Sequence, residues 1–354
     1  MYFKARFRDI LIWTSFVSSL LAAPHNPRAI AQTTTRSPDY NIETMHEFPN
    51  PTWLENIAVR SNGQILVTQL ASTPTTPFVW LVDPTKSWDP ILVADIPDAA
   101  GVLGIAELED DVFYVVAGRG TLVEIVPGSN AIWRVDLRTL LISSNGTVTQ
   151  PAEITRVAVF PESVLFNGLC RLSKDDKSTL LIADSIAGSV IRVDVRDGSN
   201  ETVIKDASMT TPTGRTGING IHTFGTYLYF TNTGLSTFSR VPISLSTGKA
   251  TGDITTIVNN TLGDDFIISR DGSRAWIAQS VANTVTEVDI HGRAGKVIAG
   301  SLGDVEFATA TAVAFGRGES DKNSLYVTTA GGLGSPVNGS IVTGGRIVKI
   351  DLLR

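Results

Sequence analysis

Polar residues stand at corresponding places along the chain, where their side chains could share one site. They comprise two carboxylates, two carboxamides and a hydroxyl: Glu55, Asn167, Asn219, Asp264 and Thr311. Carboxylate and carboxamide oxygens are the hard ligands that calcium and similar divalent ions prefer. The same groups could instead bind an organic substrate without a metal, or only solvate a wet channel. All three interpretations require elements that bring these residues together.

Several other kinds of chemistry lack the residues they need. Cys170 is the only cysteine, so no intramolecular disulfide can form, and its apolar neighbours predict a buried thiol. Of the four histidines only His222 is expected near the site, which argues against a histidine-rich zinc centre. There is no Gly-x-Ser-x-Gly elbow and no phosphate-binding glycine loop before a helix. The glycine-rich segment 331–345 is predicted to be a flexible loop over one face.

A short signature recurs six times and predicts the elements that position the polar residues. Each copy has a β-branched residue followed by aspartate, or by proline in the fourth copy, which is typical of a strand that ends in a turn. The copies begin at Leu81, Arg134, Arg192, Arg240, Glu287 and Lys349. Their spacing of roughly 47 to 62 residues matches the size of a four-stranded propeller blade.

The strands around each signature predict an all-β fold, a six-bladed β-propeller over residues 40–354. Two apolar strands precede every copy, and a fourth strand follows every copy except the last. Residues 41–48 form an additional strand before the first blade, so we expect this strand to complete the last blade and close the ring. In such a ring, the residues that open the inner strands converge at one mouth of the central channel.

This arrangement predicts two groups of site residues at the mouth. Glu55, Asn167, Asn219 and Asp264 are the predicted catalytic residues. The predicted substrate-binding residues are Trp53, Gln69, Phe166, His222, Asn232 and Gln279, with Asp184 at a strand end and Leu165 adding apolar surface. Asn219 precedes a glycine and could form a tight turn instead. The length of chain before Tyr227 favours the entrance of an inner strand.

Charge and leader sequence bear on partners and localisation. The net charge of −6, with scattered basic residues, argues against nucleic acid or an anionic membrane as partner. Basic residues before the apolar stretch 10–23 predict a signal peptide over 1–31 and a linker over 32–39, with an uncleaved membrane anchor as the alternative. We expect no stable membrane insertion after cleavage. Four sequons are compatible with a secreted or endomembrane-lumen glycoprotein: Asn145, Asn200, Asn259 and Asn338.

The segments that open the predicted blades resemble those of the SMP-30/gluconolactonase-like propellers, a group that is also similar to strictosidine synthase. These segments are 51–55, 166–169, 218–221 and 264–266, and the resemblance spans 40–354. It implies a divalent, calcium-like ion held by Glu55, Asn219 and Asp264, with Asn167 helping to bind substrate.

The chain departs from the lactonase pattern at three places. Asn167 is followed by glycine where those lactonases usually have aspartate, and Asp264 is followed by Asp265 where they usually have glycine. The apolar pair Leu165 and Phe166 replaces a common arginine, which argues against a sugar-acid lactone as substrate.

The leader and the segment 55–63 resemble more closely a fungal natural-product subgroup that includes hetero-Diels–Alderases. This resemblance implies that the enzyme joins a tropolone-derived quinone methide to a humulene-type sesquiterpene, with small apolar intermediates as partners and no required cofactor. Asn167, Asn219, Gln279 or His222 would polarise the carbonyl, and Glu55 or Asp264 would assist water loss. The alternatives are a metal-dependent lactonase and a non-catalytic binding propeller.

Overall fold

The computed structural model describes residues 40–70, 78–121, 124–211 and 216–352. The predicted signal peptide and linker lie outside these residues. The first described strand is β1, Tyr40–Glu47. Six successive groups of strands follow, which we call units one to six.

Units one to three carry the next fourteen strands. Unit one consists of β2 Trp53–Val59, β3 Ile65–Leu70, β4 Phe78–Val82 and β5 Ile91–Asp95. Unit two consists of β6 Gly101–Glu109, β7 Val112–Gly118, β8 Ala131–Asp136, the short pair β9 Leu141–Ile142 and β10 Val148–Gln150, and β11 Glu153–Val159. Unit three consists of β12 Phe166–Arg171, β13 Thr179–Asp184, β14 Ser189–Asp194 and β15 Asn200–Lys205.

Units four to six complete the described chain. A 3-10 turn, Ala207–Met209, precedes unit four, which consists of β16 Ile218–Phe224, β17 Tyr227–Asn232, β18 Thr237–Pro242 and β19 Thr255–Asn259. Unit five consists of β20 Gly263–Ile268, β21 Arg274–Gln279, β22 Thr284–Asp289 and β23 Arg293–Gly300. Unit six consists of β24 Ala310–Phe315, β25 Ser324–Thr329 and β26 Arg346–Leu352. No helix in the described part of the chain is long and apolar enough to cross a membrane.

The all-β prediction is confirmed, and so are the strands predicted around the six signatures. Units three, four and five are separate antiparallel four-stranded sheets, and a single bridge between Leu70 and Gly101 joins units one and two. In unit six, β1 pairs with β26 along its whole length, with Tyr40 opposite Leu352. The β9–β10 hairpin in unit two was not predicted, because it is too short to give a sequence pattern.

The innermost strand of each unit contacts the innermost strand of the next. These contacts run β2 to β6, β12, β16, β20 and β24, and β24 in turn contacts β2. Apolar side chains from both faces of the sheets fill the spaces between units, as where Val59 and Ile65 of unit one pack with Tyr326 and Ile347 of unit six. Burying an aliphatic side chain of this size contributes about 1.5–3 kcal/mol.

Threonine hydroxyls connect neighbouring units to each other's innermost strands. The Thr68 hydroxyl donates to the Leu103 carbonyl at 2.6 Å, and the Thr311 hydroxyl donates to the Leu54 carbonyl at 2.9 Å. The second bond joins unit six to unit one. Each such bond satisfies a backbone carbonyl that a strand at the channel edge would otherwise leave without a protein partner.

Candidate functional site

Every innermost strand contains a register shift shortly after its start. The shifts fall at residues 55–56, 103–104, 167–168, 219–220, 264–265 and 311. A β-bulge of this kind sets extra residues of one strand against its partner and redirects their side chains. The predicted residues Glu55, Asn167, Asn219, Asp264 and Thr311 therefore occupy equivalent positions. Leu103 holds the sixth such position, and we call these six residues the axial ring.

Close backbone packing accompanies the bulges. A Cβ atom at Gly168 would lie 2.3 Å from the carbonyl oxygen of Asn219, and one at Gly220 would lie 2.3 Å from Asp265 Oδ1. Any larger residue would push units three, four and five apart at the axis, because these distances are far below van der Waals contact. Glycine after Asn167 and Asn219 thus allows the ring residues to approach one another.

Glu55 and Asp264 form an interacting pair of buried carboxyl groups, with 6% and 8% of the residue surface exposed. Burial raises the pKa of Glu55 to about 7, opposed by a hydrogen bond from Trp53 Nε1 and reinforced by the charge of Asp265. Burial, followed by the charges of Glu55 and Asp265, raises the pKa of Asp264 well above its usual range. The pair therefore holds a proton near neutral pH, as two neighbouring carboxyls with raised pKa values do.

Asn219 offers an unused acceptor beside this pair. Its Nδ2 donates to Thr233 Oγ1 at 2.9 Å, and the Thr233 hydroxyl donates to the Gly263 carbonyl at 2.8 Å. The buried Asn219 Oδ1 has no hydrogen-bond partner. An unsatisfied buried carbonyl oxygen is costly, and binding of a cation or of a ligand N–H or O–H would remove that cost.

The donor set of Glu55, Asn219 and Asp264 fits a divalent cation. It supplies two carboxylates that repel each other and one free carboxamide oxygen, all of them hard ligands. Within the described ranges, no group of three or more His, Cys, Asp and Glu side chains could hold a metal ion. The carboxamide oxygen of Asn219 would therefore have to complete the coordination.

A second polar layer lies next to the axial ring and consists of Asn56, His222 and Asp265; of these, only His222 was assigned a role from the sequence, as a substrate-binding residue. Asn56 Nδ2 donates to Asp265 Oδ2 at 2.8 Å, and His222 Nε2 lies 3.1 Å from Asp265 Oδ1. The His222 ring also packs edge-on against Phe266, with ring centroids 4.9 Å apart. In the sequence, Asp265 stood out only because it differs from the lactonase pattern, and this difference was the signal that could have pointed to its role.

Two residues predicted to bind substrate are instead structural. Phe166 is fully buried and packs edge-on against Phe160 at 4.8 Å, so it belongs to the apolar core between units. Asn232 is also fully buried: its Nδ2 donates to the carbonyls of Ser208 and Thr210, and its Oδ1 accepts from Leu235 N. The position of Asn232 at a strand end is as predicted, but its side-chain amide is hydrogen-bonded to neighbouring loops.

The other residues at the ends of the second strands also have protein partners. Gln69 accepts a hydrogen bond from Trp80 Nε1 at 2.7 Å, and Gln279 donates to Thr286 Oγ1. Asp184 accepts from three backbone N–H groups, those of Val164, Leu165 and Ala187. Gln69 and Gln279 remain half-buried, whereas Asp184 is buried and fixes the turn that leads into β12.

Apolar side chains surround the entrance to the axial ring. Trp53 and Leu165 are half-buried, and a Cβ atom at Gly334 would lie 2.9 Å from the Trp53 ring, so segment 331–345 lies over this indole. The loops on the same face carry exposed aliphatic residues: Leu235, Leu302, Val305 and Ile341. Leu302 is the most exposed of these four, at 70%.

Comparisons with known proteins support the resemblance read from the sequence. No family model matches the chain. It is 29% identical over 322 residues to a candidate hetero-Diels–Alderase, asR5 of Sarocladium schorii, covering 80% of this chain and 77% of that protein. It is 28% identical over 315 residues to a second candidate hetero-Diels–Alderase from Phoma sp, covering 80% of this chain and 85% of that protein.

A solved structure extends the comparison to the fold. The chain is similar to regucalcin, a calcium-binding protein of Agrobacterium tumefaciens, with a TM-score of 0.58 and 18% identity. The match covers 89% of this chain and 98% of regucalcin. The predicted resemblance to hetero-Diels–Alderases and to SMP-30-like propellers is thereby confirmed.

Proposed function

We propose that this protein is a hetero-Diels–Alderase that joins a tropolone-derived quinone methide to a humulene-type sesquiterpene. Its similarity to two candidate hetero-Diels–Alderases supports the reaction class. The structural observation that carries the proposal is the proton-holding pair of Glu55 and Asp264, buried beneath an apolar entrance. This combination suits two apolar reactants, one of which must be formed by proton transfer.

The cycloaddition itself requires placement more than acid or base. Two new σ bonds form from the π electrons of the heterodiene and the alkene, and no atom is lost. Holding both partners in a near-attack geometry supplies about 7–11 kcal/mol. Trp53, Leu103 and Leu165 would provide apolar contacts for the terpene, and the aliphatic residues of the entrance loops would favour its transfer from water.

The carboxyl pair would form the heterodiene and then polarise it. The protonated carboxyl donates to the hydroxyl that leaves a hydroxymethyl tropolone, and the ionised partner accepts the ring hydroxyl proton, so the net change is loss of one water. The partner carboxyl, which now holds the proton taken from the ring hydroxyl, then donates a hydrogen bond to the carbonyl of the heterodiene. Asn167 and His222 are further donors within the same region of the channel.

Purified protein incubated with a hydroxymethyl tropolone and α-humulene tests the proposal. We expect a faster reaction and a single dominant stereoisomer, resolved by chiral chromatography and mass spectrometry. Glu55→Gln should slow the reaction by about 100-fold or more, the usual range for loss of a general acid or base. Glu162→Gln, an exposed residue, is the matched control. A product distribution identical with and without wild-type protein would refute the assignment.

A metal-dependent lactonase is the second candidate, because the unpartnered Asn219 Oδ1 lies beside the carboxyl pair. Glu55, Asn219 and Asp264 would hold the ion, which would polarise a lactone carbonyl and acidify a water. Chelation separates the two candidates: lactone hydrolysis should stop with EDTA and return with calcium, whereas cycloaddition should continue in EDTA.

We further infer that units one to six are the blades of one closed propeller spanning 40–354, in which β1 completes the last blade. The contacts of β24 with β2 and the pairing of β1 with β26 support this ring. We also propose cleavage of a signal peptide over 1–31, a linker over 32–39 and passage through the secretory pathway. All four sequon asparagines are exposed, which is compatible with glycosylation. Mass spectrometry of the secreted protein would test cleavage and glycan occupancy together.

A further inference from the structure

One hydrogen bond in the second polar layer connects units that are not neighbours. Asn56 lies in β2 of unit one and Asp265 in β20 of unit five, and the Asn56 Nδ2 to Asp265 Oδ2 distance is 2.8 Å. Unit six separates them, because β24 contacts both β20 and β2. Both residues are buried, with 6% of their surface exposed. The bond therefore crosses the channel and links two units that are not adjacent, unlike a bond between neighbouring strands.

The orientation of both side chains is determined by their other partners. Asn56 Oδ1 accepts from Ile57 N at 2.8 Å, which turns Nδ2 towards Asp265. Asp265 Oδ1 accepts from Phe266 N at 2.7 Å and faces His222 Nε2, which leaves Oδ2 for Asn56. Gly220 provides the space, because a Cβ atom there would lie 2.3 Å from Oδ1. All oxygens of the pair thus have a defined role.

The two bonded residues are the chain neighbours of the two carboxyl residues of the axial ring. Asn56 directly follows Glu55, and Asp265 directly follows Asp264. Each adjacent pair sits in the bulge of its strand, where fewer ladder hydrogen bonds fix the backbone. A buried hydrogen bond to a carboxylate is stronger than one between neutral groups, so the bond between Asn56 and Asp265 can select one of the alternative bulge geometries.

We propose that Asn56 and Asp265 are positioning residues that hold Glu55 and Asp264 at a fixed separation across the channel. The inference rests on the proposed function, because it assigns the pair to the spacing of the carboxyls that form and polarise the heterodiene. A misplacement of about 1 Å in such a site can cost about 100-fold in rate. Asp265 contacts no substrate in this scheme and acts through its neighbours.

Three variants test the bond with matched chemistry. In Asp265→Asn, the amide replaces Oδ2 and faces the Asn56 amide, so two donors meet. In Asn56→Asp, two carboxylates meet. The double variant Asn56→Asp with Asp265→Asn reverses the bond: the new carboxylate accepts from Ile57 N and from the new amide, whose oxygen still accepts from Phe266 N and faces His222. The swap thus retains every hydrogen bond of the layer.

Turnover, stability and geometry are measured on the full chain, at a temperature where urea titration shows every form to be folded. We expect each single variant to lower kcat by roughly 10- to 100-fold with KM changed by less than about twofold, and the swap to recover most of the loss. A loss of unfolding free energy with unchanged kcat would show that the bond only stabilises the fold, and this result would overturn the proposal.

Crystal structures of Asp265→Asn and of the swap provide a readout that does not depend on the reaction. The distance between the carboxyl carbons of Glu55 and Asp264 should change by roughly 1 Å in Asp265→Asn, because the expected loss of rate implies a displacement of that size. In the swap the distance should return to its wild-type value. An unchanged distance overturns the positioning role even if cycloaddition is found. Conversely, wild-type protein without cycloaddition would refute the proposed function while the crystallographic comparison still decides the role of the bond.

Discussion

Replacing Glu55 with glutamine should make the protein more stable, and the gain should depend on pH. The ordinary pKa of this carboxyl is 4.5, and burial raises it to about 7. Each unit corresponds to about 1.4 kcal/mol, so ionising Glu55 costs the folded protein about 3 kcal/mol. The unfolded chain releases this proton above pH 4.5, whereas the folded protein retains it up to about pH 7. The folded state therefore binds more protons between these values, and its stability falls as pH rises.

Urea unfolding followed by tryptophan fluorescence at pH 5, 6, 7 and 8 measures this effect. The difference between Glu55→Gln and wild type should be small at pH 5 and should grow to about 3 kcal/mol at pH 8. Removing the Glu55 charge also removes one cause of the raised pKa of Asp264, which adds to the gain. Glu162→Gln is exposed and should follow wild type throughout. Parallel curves for Glu55→Gln and wild type across the four pH values would refute the buried carboxyl pair.

Three further perturbations test other parts of the structure. Deleting residues 40–47 should abolish cooperative thermal unfolding by circular dichroism, since β26 would keep β25 but lose its outer partner β1. A chain that starts at Tyr40 is the control, and retained cooperativity would argue against the ring. Thr311→Val should lower the unfolding free energy in urea by about 1–2 kcal/mol, because the Leu54 carbonyl would lose its donor, and no loss would show that this bond is dispensable. Gly168→Ala should cost about 1–3 kcal/mol on the same assay, whereas Gly303→Ala should cost less than about 0.5 kcal/mol, because a Cβ atom at Gly303 would meet only Asn338, at 3.6 Å. Equal effects would contradict the close packing at the axis.

Much of the strand order could be predicted from the sequence, because the signature marks the end of a third strand in every unit. A β-branched residue followed by aspartate favours the same local structure, a strand that ends in a turn, wherever it recurs in the chain. The equivalent positions of Glu55, Asn167, Asn219 and Asp264 could be predicted for the same reason, because each stands just inside a predicted strand entrance. Equivalent local positions give equivalent places in a repeated fold.

The bond between Asn56 and Asp265 in the second polar layer could not be predicted, because it depends on the bulges. In a regular strand, successive side chains point to opposite faces, so Asn56 and Asp265 would lie away from the faces of Glu55 and Asp264. The bulge departs from that alternation, and no sequence pattern identified it in advance. Phe166 was placed wrongly for a related reason. Its position beside Asn167 suggested that it lines the mouth of the channel, but it packs against Phe160 in the apolar core.

The pairing of β1 with β26 also constrains the order in which the protein can form. Most sheet contacts link strands that are near neighbours in sequence, and such contacts form quickly. The Asn41 to Asp351 hydrogen bond instead joins residues 310 positions apart. During synthesis, units one to five can acquire their own hairpins as they leave the ribosome, but β1 has no partner until β26 has emerged. A nascent chain therefore carries an unpaired strand edge for almost the whole of its translation, and that edge is where we expect chaperones to bind.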